Sequence, residues 1–283
     1  MSSLALLGLF AHPDDEQLMS GVFAQEAAAG TRTGLICATR GEAGEIAEPS
    51  LATVETLGKV REAELRAACA VIGVKNLWFL DYRDSGMMGT SENENSTNFY
   101  RSEPTEAIGR VVKIIREFKP NVMVTFEPTG GYGHPDHLTI CKVATEAFTA
   151  AADPQLYPEA GGPWQADRLY YASFPRSSIR RLQEFIEAHN METGFRGLDP
   201  DKFGLPDEEI TNVIDVRDWK DVKEKSLQMH RTQMNPNSPL AAMPPEITAG
   251  WRDKEHFALV AGKPLPDTES ARGDLFAGLR NQE

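Results

Sequence analysis

Cysteine is scarce: Cys37, Cys69 and Cys141 are the only three among 283 residues. An odd number without a C-x-x-C pair argues against a disulfide framework and against a thiolate zinc site. All three lie in apolar stretches and read as core packing. Basic residues are also in deficit, 29 Lys and Arg against 42 Asp and Glu, giving a net charge of −13. With no basic run and no stripe of alternating aromatic and basic residues, such a surface repels nucleic acid and anionic membranes, and neither is expected as a partner. No apolar run approaches the length of a membrane span. The start, Met1-Ser2-Ser3-Leu4, carries neither a basic segment nor a long apolar one, so no leader is expected and the chain reads as soluble and cytoplasmic. Asn95-Ser96-Thr97 matches a glycosylation acceptor, but in that setting it is a polar loop. Two further signatures are missing. No glycine-rich G-x-G-x-x-G follows the first apolar run, and no G-x-S-x-G occurs.

What is present alternates short apolar runs with amphipathic ones. Strands are expected at Leu4–Phe10, Thr33–Thr39, Leu77–Leu80, Val122–Phe126, Leu169–Phe174, Ile210–Val216 and Phe257–Ala261. Helices are expected at Gln17–Ala29, closing on Gly30, and at Leu57–Ile72, closing on Gly73. Others are read at Pro104–Phe118, with proline in the first turn, Leu138–Ala151, Ser178–Ala188 and Trp219–His230. This order predicts an α/β fold, a Rossmann-like, mostly parallel sheet with helices on both faces, built as one domain over residues 1–283. Two long polar segments, Gly86–Glu103 and Thr232–Glu246 with its four prolines, are read as loops.

Open α/β sheets place their sites at the carboxyl ends of strands. Two motifs fall there: Ala11-His12-Pro13-Asp14-Asp15-Glu16 after the first strand and Gly133-His134-Pro135-Asp136-His137 after the fourth. They hold three of the six histidines. Where a dinucleotide fold needs glycines, this chain has three carboxylates, which repel phosphate and attract a cation. Histidine with carboxylate points to a borderline metal, zinc first, with iron able to take its place. A catalytic zinc keeps three protein ligands and one open position, and His12, Asp15 and His137 supply such a set. Asp14 is then placed to take a proton from water. His134 is placed to stabilise an oxyanion or protonate a leaving amine, and Asp136 to orient a histidine and raise the pKa of His134. A phosphoacceptor receiver module would also use Asp14, Asp15 and Asp81, but it is much shorter and leaves His12, His134 and His137 without work.

The two motifs resemble the signatures of the LmbE/PIG-L family of zinc-dependent de-N-acetylases. Thr39-Arg40-Gly41-Glu42, Arg61-Glu62-Ala63-Glu64, Asp84-Ser85-Gly86-Met87 and His230-Arg231-Thr232-Gln233 are similar to family segments in the same order, so the likeness covers most of the chain. The Asp-Ser-Gly-Met and Gly-Tyr-Gly-His-Pro-Asp-His stretches are most similar to the mycothiol-pathway branch, a sugar deacetylase and a conjugate amidase. The resemblance implies one zinc per chain and hydrolysis of an N-acyl bond on a small polar substrate such as an amino sugar derivative. An amidase on a larger thiol or sugar conjugate, or a hydratase on the same fold, are the alternatives. Self-association is left open.

Substrate-binding roles are assigned to Arg61, Asp84, Met87 and Tyr132. Asp84 would accept bonds from vicinal hydroxyls, with Arg61 as a donor, Met87 as an apolar wall and Tyr132, freed by flanking glycines, closing on the scissile carbonyl. The loops Arg40–Ile46, Tyr82–Gly89 and Thr129–Gly133 are expected to meet at one end of the sheet. His230 is read as structural.

Overall fold

The computed structural model describes residues 4–191, 193, 199–234 and 243–280. Its centre is a seven-stranded sheet formed by β1 (Ala5–Phe10), β2 (Arg32–Cys37), β3 (Asn76–Phe79), β4 (Val122–Phe126), β5 (Arg168–Ala172), β6 (Asn212–Asp215) and β7 (Lys254–Gly262). The strand order is β3-β2-β1-β4-β5-β7-β6. The first five strands pair in parallel, whereas β7 runs antiparallel to both β5 and β6. Every residue of β1 and of β4 is buried, as a continuous apolar run in a strand covered on both faces requires.

The helices are α1 (Ser20–Ala28), α2 (Leu57–Ile72), α3 (Pro104–Phe118), a single irregular turn α4 (Gly130–Gly133), α5 (Pro135–Ala150), α6 (Arg176–Ala188), α7 (Lys220–Leu227) and α8 (Pro245–Arg252). α1, α2 and α7 pack on one another, and α3 packs on α5. Right-handed crossovers put these two groups on opposite faces, because the chain leaves β1 towards β2 and β3 and then returns through β4 to β5. In α3, Ala107, Ile108, Val111, Val112, Ile115 and Phe118 are buried at helical spacing, which seats that face on the sheet. The α2 helix stops at Gly73, whose φ of 76° is the left-handed geometry glycine adopts without a Cβ clash.

The structure departs from the sequence reading chiefly at helix starts. The helix expected from Gln17 begins as a 3-10 turn over Asp15–Met19 and turns α-helical only at Ser20. The first turn of α1 is capped from a distance: Glu255 on β7 accepts the Gly21 and Val22 N–H groups at 2.9 and 2.8 Å. The proline-rich segment ends earlier than Glu246, since Pro245 opens α8, where a missing N–H is harmless; its residues 235–242 lie outside the described residues. The Gly86–Glu103 segment is an ordered loop with two 3-10 turns, Ser91–Glu94 and Phe99–Arg101. Phe99 is fully buried, and Asn93 ties the loop together by accepting Gly89 N–H at 2.7 Å and donating to Ser85 O at 2.6 Å. Among the described residues no helix is long and apolar enough to cross a membrane.

The sheet reverses its direction of winding between β1 and β4, so their carboxyl ends open onto one crevice, the usual ligand position in such folds. The two histidine motifs follow those two strands.

Candidate metal centre and active site

His12 leaves the end of β1 directly into the crevice. The Asp15 carboxylate turns back on this loop and accepts the His12 and Ala11 N–H groups at 2.7 and 3.1 Å. His137 sits in the first turn of α5 and stacks on Phe126 at the end of β4, with ring centroids 4.0 Å apart. Its Nδ1 pairs with Gly130 O at 2.9 Å. A carbonyl accepts only, so Nδ1 carries the hydrogen and Nε2 presents a lone pair.

That lone pair faces His12 Nδ1 at 3.1 Å and Asp15 Oδ1 at 3.3 Å. His12 is oriented by its other nitrogen: Nε2 lies 3.2 Å from Asp136 Oδ2 and 3.5 Å from Asp84 Oδ1. The Nε2–H is thus directed at carboxylates, and Nδ1 presents a lone pair in its turn. Asp15 Oδ2 is 3.5 Å from Nδ1. Once the proton that the surrounding carboxylates hold on His12 leaves Nδ1, two imidazole lone pairs and one carboxylate converge there, and a cation fits in the place of that proton. A two-histidine, one-carboxylate donor set of this kind fits zinc. His12, His134 and His137 also form a group, without Asp15, whose ligating atoms lie within 4.8 Å of one another, and a second grouping joins His12 to Asp84 and Asp136. Asp84 and Asp136 meet Nε2, which makes them the outer partners that orient a ligating histidine.

The charges follow from this packing. Burial alone would lower the His12 pKa, but its bonds to Asp136, Asp15 and Asp84 raise it well above the ordinary value. Burial pushes Asp15 up, yet His137 and His12 hold its carboxyl well below the carboxylate range. Asp14 behaves oppositely: burial, then the neighbouring Asp15 charge, push it up to about 7. Its backbone is left-handed, φ 101° and ψ −20°, which costs roughly 1–3 kcal/mol for a residue with a Cβ. The Asp14 N–H donates to Glu16 Oε2 at 3.0 Å.

His134 N-caps α5: its Nδ1 accepts the Asp136 N–H at 3.2 Å, which leaves the ring proton on Nε2. Asp136 does raise the His134 pKa, as expected, but not enough to keep the ring protonated. The Asp136 side chain points to His12 and Ser85, accepting Ser85 N–H at 2.9 Å and the Ser85 hydroxyl. Burial, with the His12 and His137 charges, lowers the His134 pKa to about 4, and Asp136 offsets only part of this. His134 is therefore a neutral donor near pH 7.

The residues assigned to substrate divide by exposure. Met87 and Tyr132 are each 48% exposed. The Tyr132 ring meets His137 edge-on at 5.0 Å and His134 at 6.3 Å, overhanging the centre from a turn where Gly131 and Gly133 take φ of 73° and 83°. Asp84 and Arg61 are 3% and 5% exposed. Both Asp84 oxygens are occupied, Oδ1 by Gly86 N–H at 2.8 Å and Oδ2 by Ala43 N–H at 3.1 Å. Arg61 faces inward and donates to Gly41 O and Glu45 O, both at 2.9 Å, clamping the Arg40–Ile46 loop. A Cβ at Gly44 would lie 2.3 Å from that guanidinium, so the loop closes tightly over the arginine. The geometry thus turns Asp84 towards His12 and Arg61 towards the loop.

Two of the three loops bond directly, Asp84 N–H donating to Glu42 at 3.2 Å, while Thr129–Gly133 reaches the centre through Gly130 O, which pairs with His137 Nδ1. Beside them opens a cleft of about 330 Å³ with Arg40, Glu42 and Arg83 in its wall. The sequence reading missed Ser85, Glu16 and Gln233 as support for the centre. Gln233 Nε2 donates to Pro13 O at 2.8 Å, and His230 meets Glu16 at 2.7 Å with both side chains fully buried. The signal available was the His230–Gln233 segment itself.

Residues 7–148 match the family model described as PIG-L, GlcNAc-PI de-N-acetylase. The chain is 37% identical over 290 residues to a 1D-myo-inositol 2-acetamido-2-deoxy-alpha-D-glucopyranoside deacetylase of Geodermatophilus obscurus, covering 98% of both chains. Among solved structures, the N,N'-diacetylchitobiose deacetylase of Pyrococcus horikoshii superposes with a TM-score of 0.65 at 20% identity, over 92% of this chain and 84% of that one. GalB, the 4-carboxy-2-hydroxymuconate hydratase of Pseudomonas putida, does so with 0.62 at 15% identity, over 94% and 99%. The last two likenesses concern the fold. With the family model spanning the strands and motifs that build the centre, and a curated relative matched from end to end, the chain belongs to the PIG-L (LmbE) family.

Proposed function

We propose that this protein is a zinc-dependent de-N-acetylase that hydrolyses the acetamide of an N-acetylglucosamine-derived sugar, releasing acetate and a free amine. The observation that carries the reading is the convergence of His12 Nδ1, His137 Nε2 and the Asp15 carboxylate beside an Asp14 whose pKa is raised. His12, Asp15 and His137 would hold the ion. When bound, it supplies Lewis-acid polarisation of the carbonyl and acidifies water. Asp14 takes a proton from the attacking water as its oxygen bonds to the acetyl carbon. Its raised pKa suits it to return that proton to the nitrogen as the C–N bond breaks. His134 donates its Nε2–H to the oxyanion that forms on the carbonyl oxygen. Asp136, with Asp84, keeps the His12 ring turned so that Nδ1 faces the ion.

Tyr132 and Met87 are the exposed residues at the mouth and would line the acetamide. The cleft bordered by Arg40, Glu42 and Arg83 offers donors and acceptors to a hydroxyl-rich aglycone such as inositol. The same reading makes residues 1–283 one catalytic unit working on a small polar molecule in the cytoplasm. A shared fold does not fix the chemistry, as the hydratase neighbour illustrates. The discriminating assay presents the zinc-loaded protein with inositol-linked N-acetylglucosamine, N-acetylated chitooligosaccharides, a thiol conjugate and an unsaturated dicarboxylic acid. Acetate release from the inositol-linked sugar at the highest kcat/KM is expected. Turnover of the conjugate or the unsaturated acid alone would replace this reading with the amidase or hydratase one.

A further inference from the structure

The Asp14 conformation is held from the far end of the chain. Glu16 is fully buried and works with both oxygens. Oε2 accepts the Asp14 N–H at 3.0 Å, and Oε1 accepts from His230 Nε2 and Gln17 Nε2, each at 2.7 Å. Gln17 also donates to Ser226 Oγ at 2.9 Å, at the end of α7. Gln233 grips the preceding Pro13 carbonyl. Thr232 is anchored in turn on Glu64 of α2, through its N–H at 2.9 Å and its hydroxyl at 2.6 Å. His230 is fully buried, and its Nδ1 has no hydrogen-bond partner among the described residues. An apolar residue would fill that place without orphaning a ring nitrogen. What the histidine adds is the Nε2–H donated to Glu16.

We propose that His230 is a positioning residue: it fixes Glu16, which locks the left-handed Asp14 backbone and so aims the Asp14 carboxylate at the reacting water. This rests on the reading of Asp14 as the base. A residue with φ of 101° relaxes towards ordinary backbone unless its surroundings over-determine it, and the Glu16 bond to its N–H is the contact that does so. A small rotation there displaces the carboxylate without touching the metal ligands, since Asp15 is held separately by the Ala11 and His12 N–H groups.

The test is a double-mutant cycle on the zinc-loaded full chain with the inositol-linked N-acetyl sugar. His230→Phe keeps a ring and removes the donor; it is expected to lower kcat by about tenfold or more with KM and bound zinc unchanged, an effect on the transition state alone. His230→Gln, which restores an N–H donor, should recover activity to within about threefold of wild type. In an Asp14→Asn background, whose asparagine tolerates left-handed backbone, His230→Phe should cost less than about twofold, because the group it positions is already gone. An equal loss in both backgrounds, or no rescue by glutamine, overturns the proposal while leaving the base reading intact. Wild-type kcat in Asp14→Asn alone would sink the base reading, and this one with it. Should His230→Phe fail to fold, Glu16→Gln goes through the same cycle. One of the two oxygen positions becomes an NH2 that cannot accept from Asp14 N–H or His230 Nε2–H, and the same non-additivity is expected of it.

Discussion

Two residues three positions from their motif histidines, Asp15 and His137, meet across the crevice, and the residues between them divide the chemistry by environment. Asp14 and Asp15 are sequence neighbours, yet burial raises one and the facing histidines depress the other. The sign of the pH dependence follows. A base must be ionised, so Asp14 sets the acidic limb of kcat/KM, below about 7, because a bound cation draws a carboxyl pKa downward. His134, lowered to about 4, is neutral above that pH, and a cation pushes it lower still. No basic limb can then belong to it. His134→Ala is expected to lose about 10²–10³-fold in kcat at every pH, the usual effect of removing an oxyanion donor, with both limbs in place. A pH–rate profile in which the mutant loses its basic limb would make His134 a proton donor instead. The motif residues were legible because strand ends bring such motifs to one crevice. The roles of Asp84 and Arg61 were less so: sequence gives a residue type, whereas occupied oxygens and an inward guanidinium are matters of tertiary packing.

The elements were readable where one signal dominated. The bounds of α2 and α3 follow from periodicity closed by glycine or opened by proline, and those of β4 from a continuous apolar run. The start of α1 was not, since its cap lies more than 230 residues away: Glu255 takes the Gly21 and Val22 N–H groups and pairs with Lys223. No local pattern encodes a cap of that kind. Losing it leaves two buried donors unsatisfied, so Glu255→Ala is expected to destabilise the fold by about 2–4 kcal/mol. The measurement is the urea midpoint at constant slope, with bound zinc unchanged in the folded protein. A shift equivalent to less than about 0.5 kcal/mol would mean that the α1 terminus finds other partners. Likewise α8 hid behind prolines that read as loop until Pro245 proved to be a first-turn residue.

At the scale of the whole molecule, the sheet order makes the site: reversal between β1 and β4 opens the crevice, and the last third of the chain braces it through His230, Gln233 and Glu255. The strands β5, β7 and β6 extend the sheet on the side away from β2 and β3. Family membership and the lone-pair geometry at His12 and His137 support the same account, that one ion held by His12, Asp15 and His137 carries the hydrolysis. The direct measurement is acetate release from the inositol-linked N-acetyl sugar as zinc is titrated into metal-free protein. The account predicts a rate proportional to bound zinc that levels off at one equivalent per chain, with His137→Ala flat throughout. Full acetate release by metal-free protein, or a His137→Ala variant that follows the wild-type curve, would contradict it.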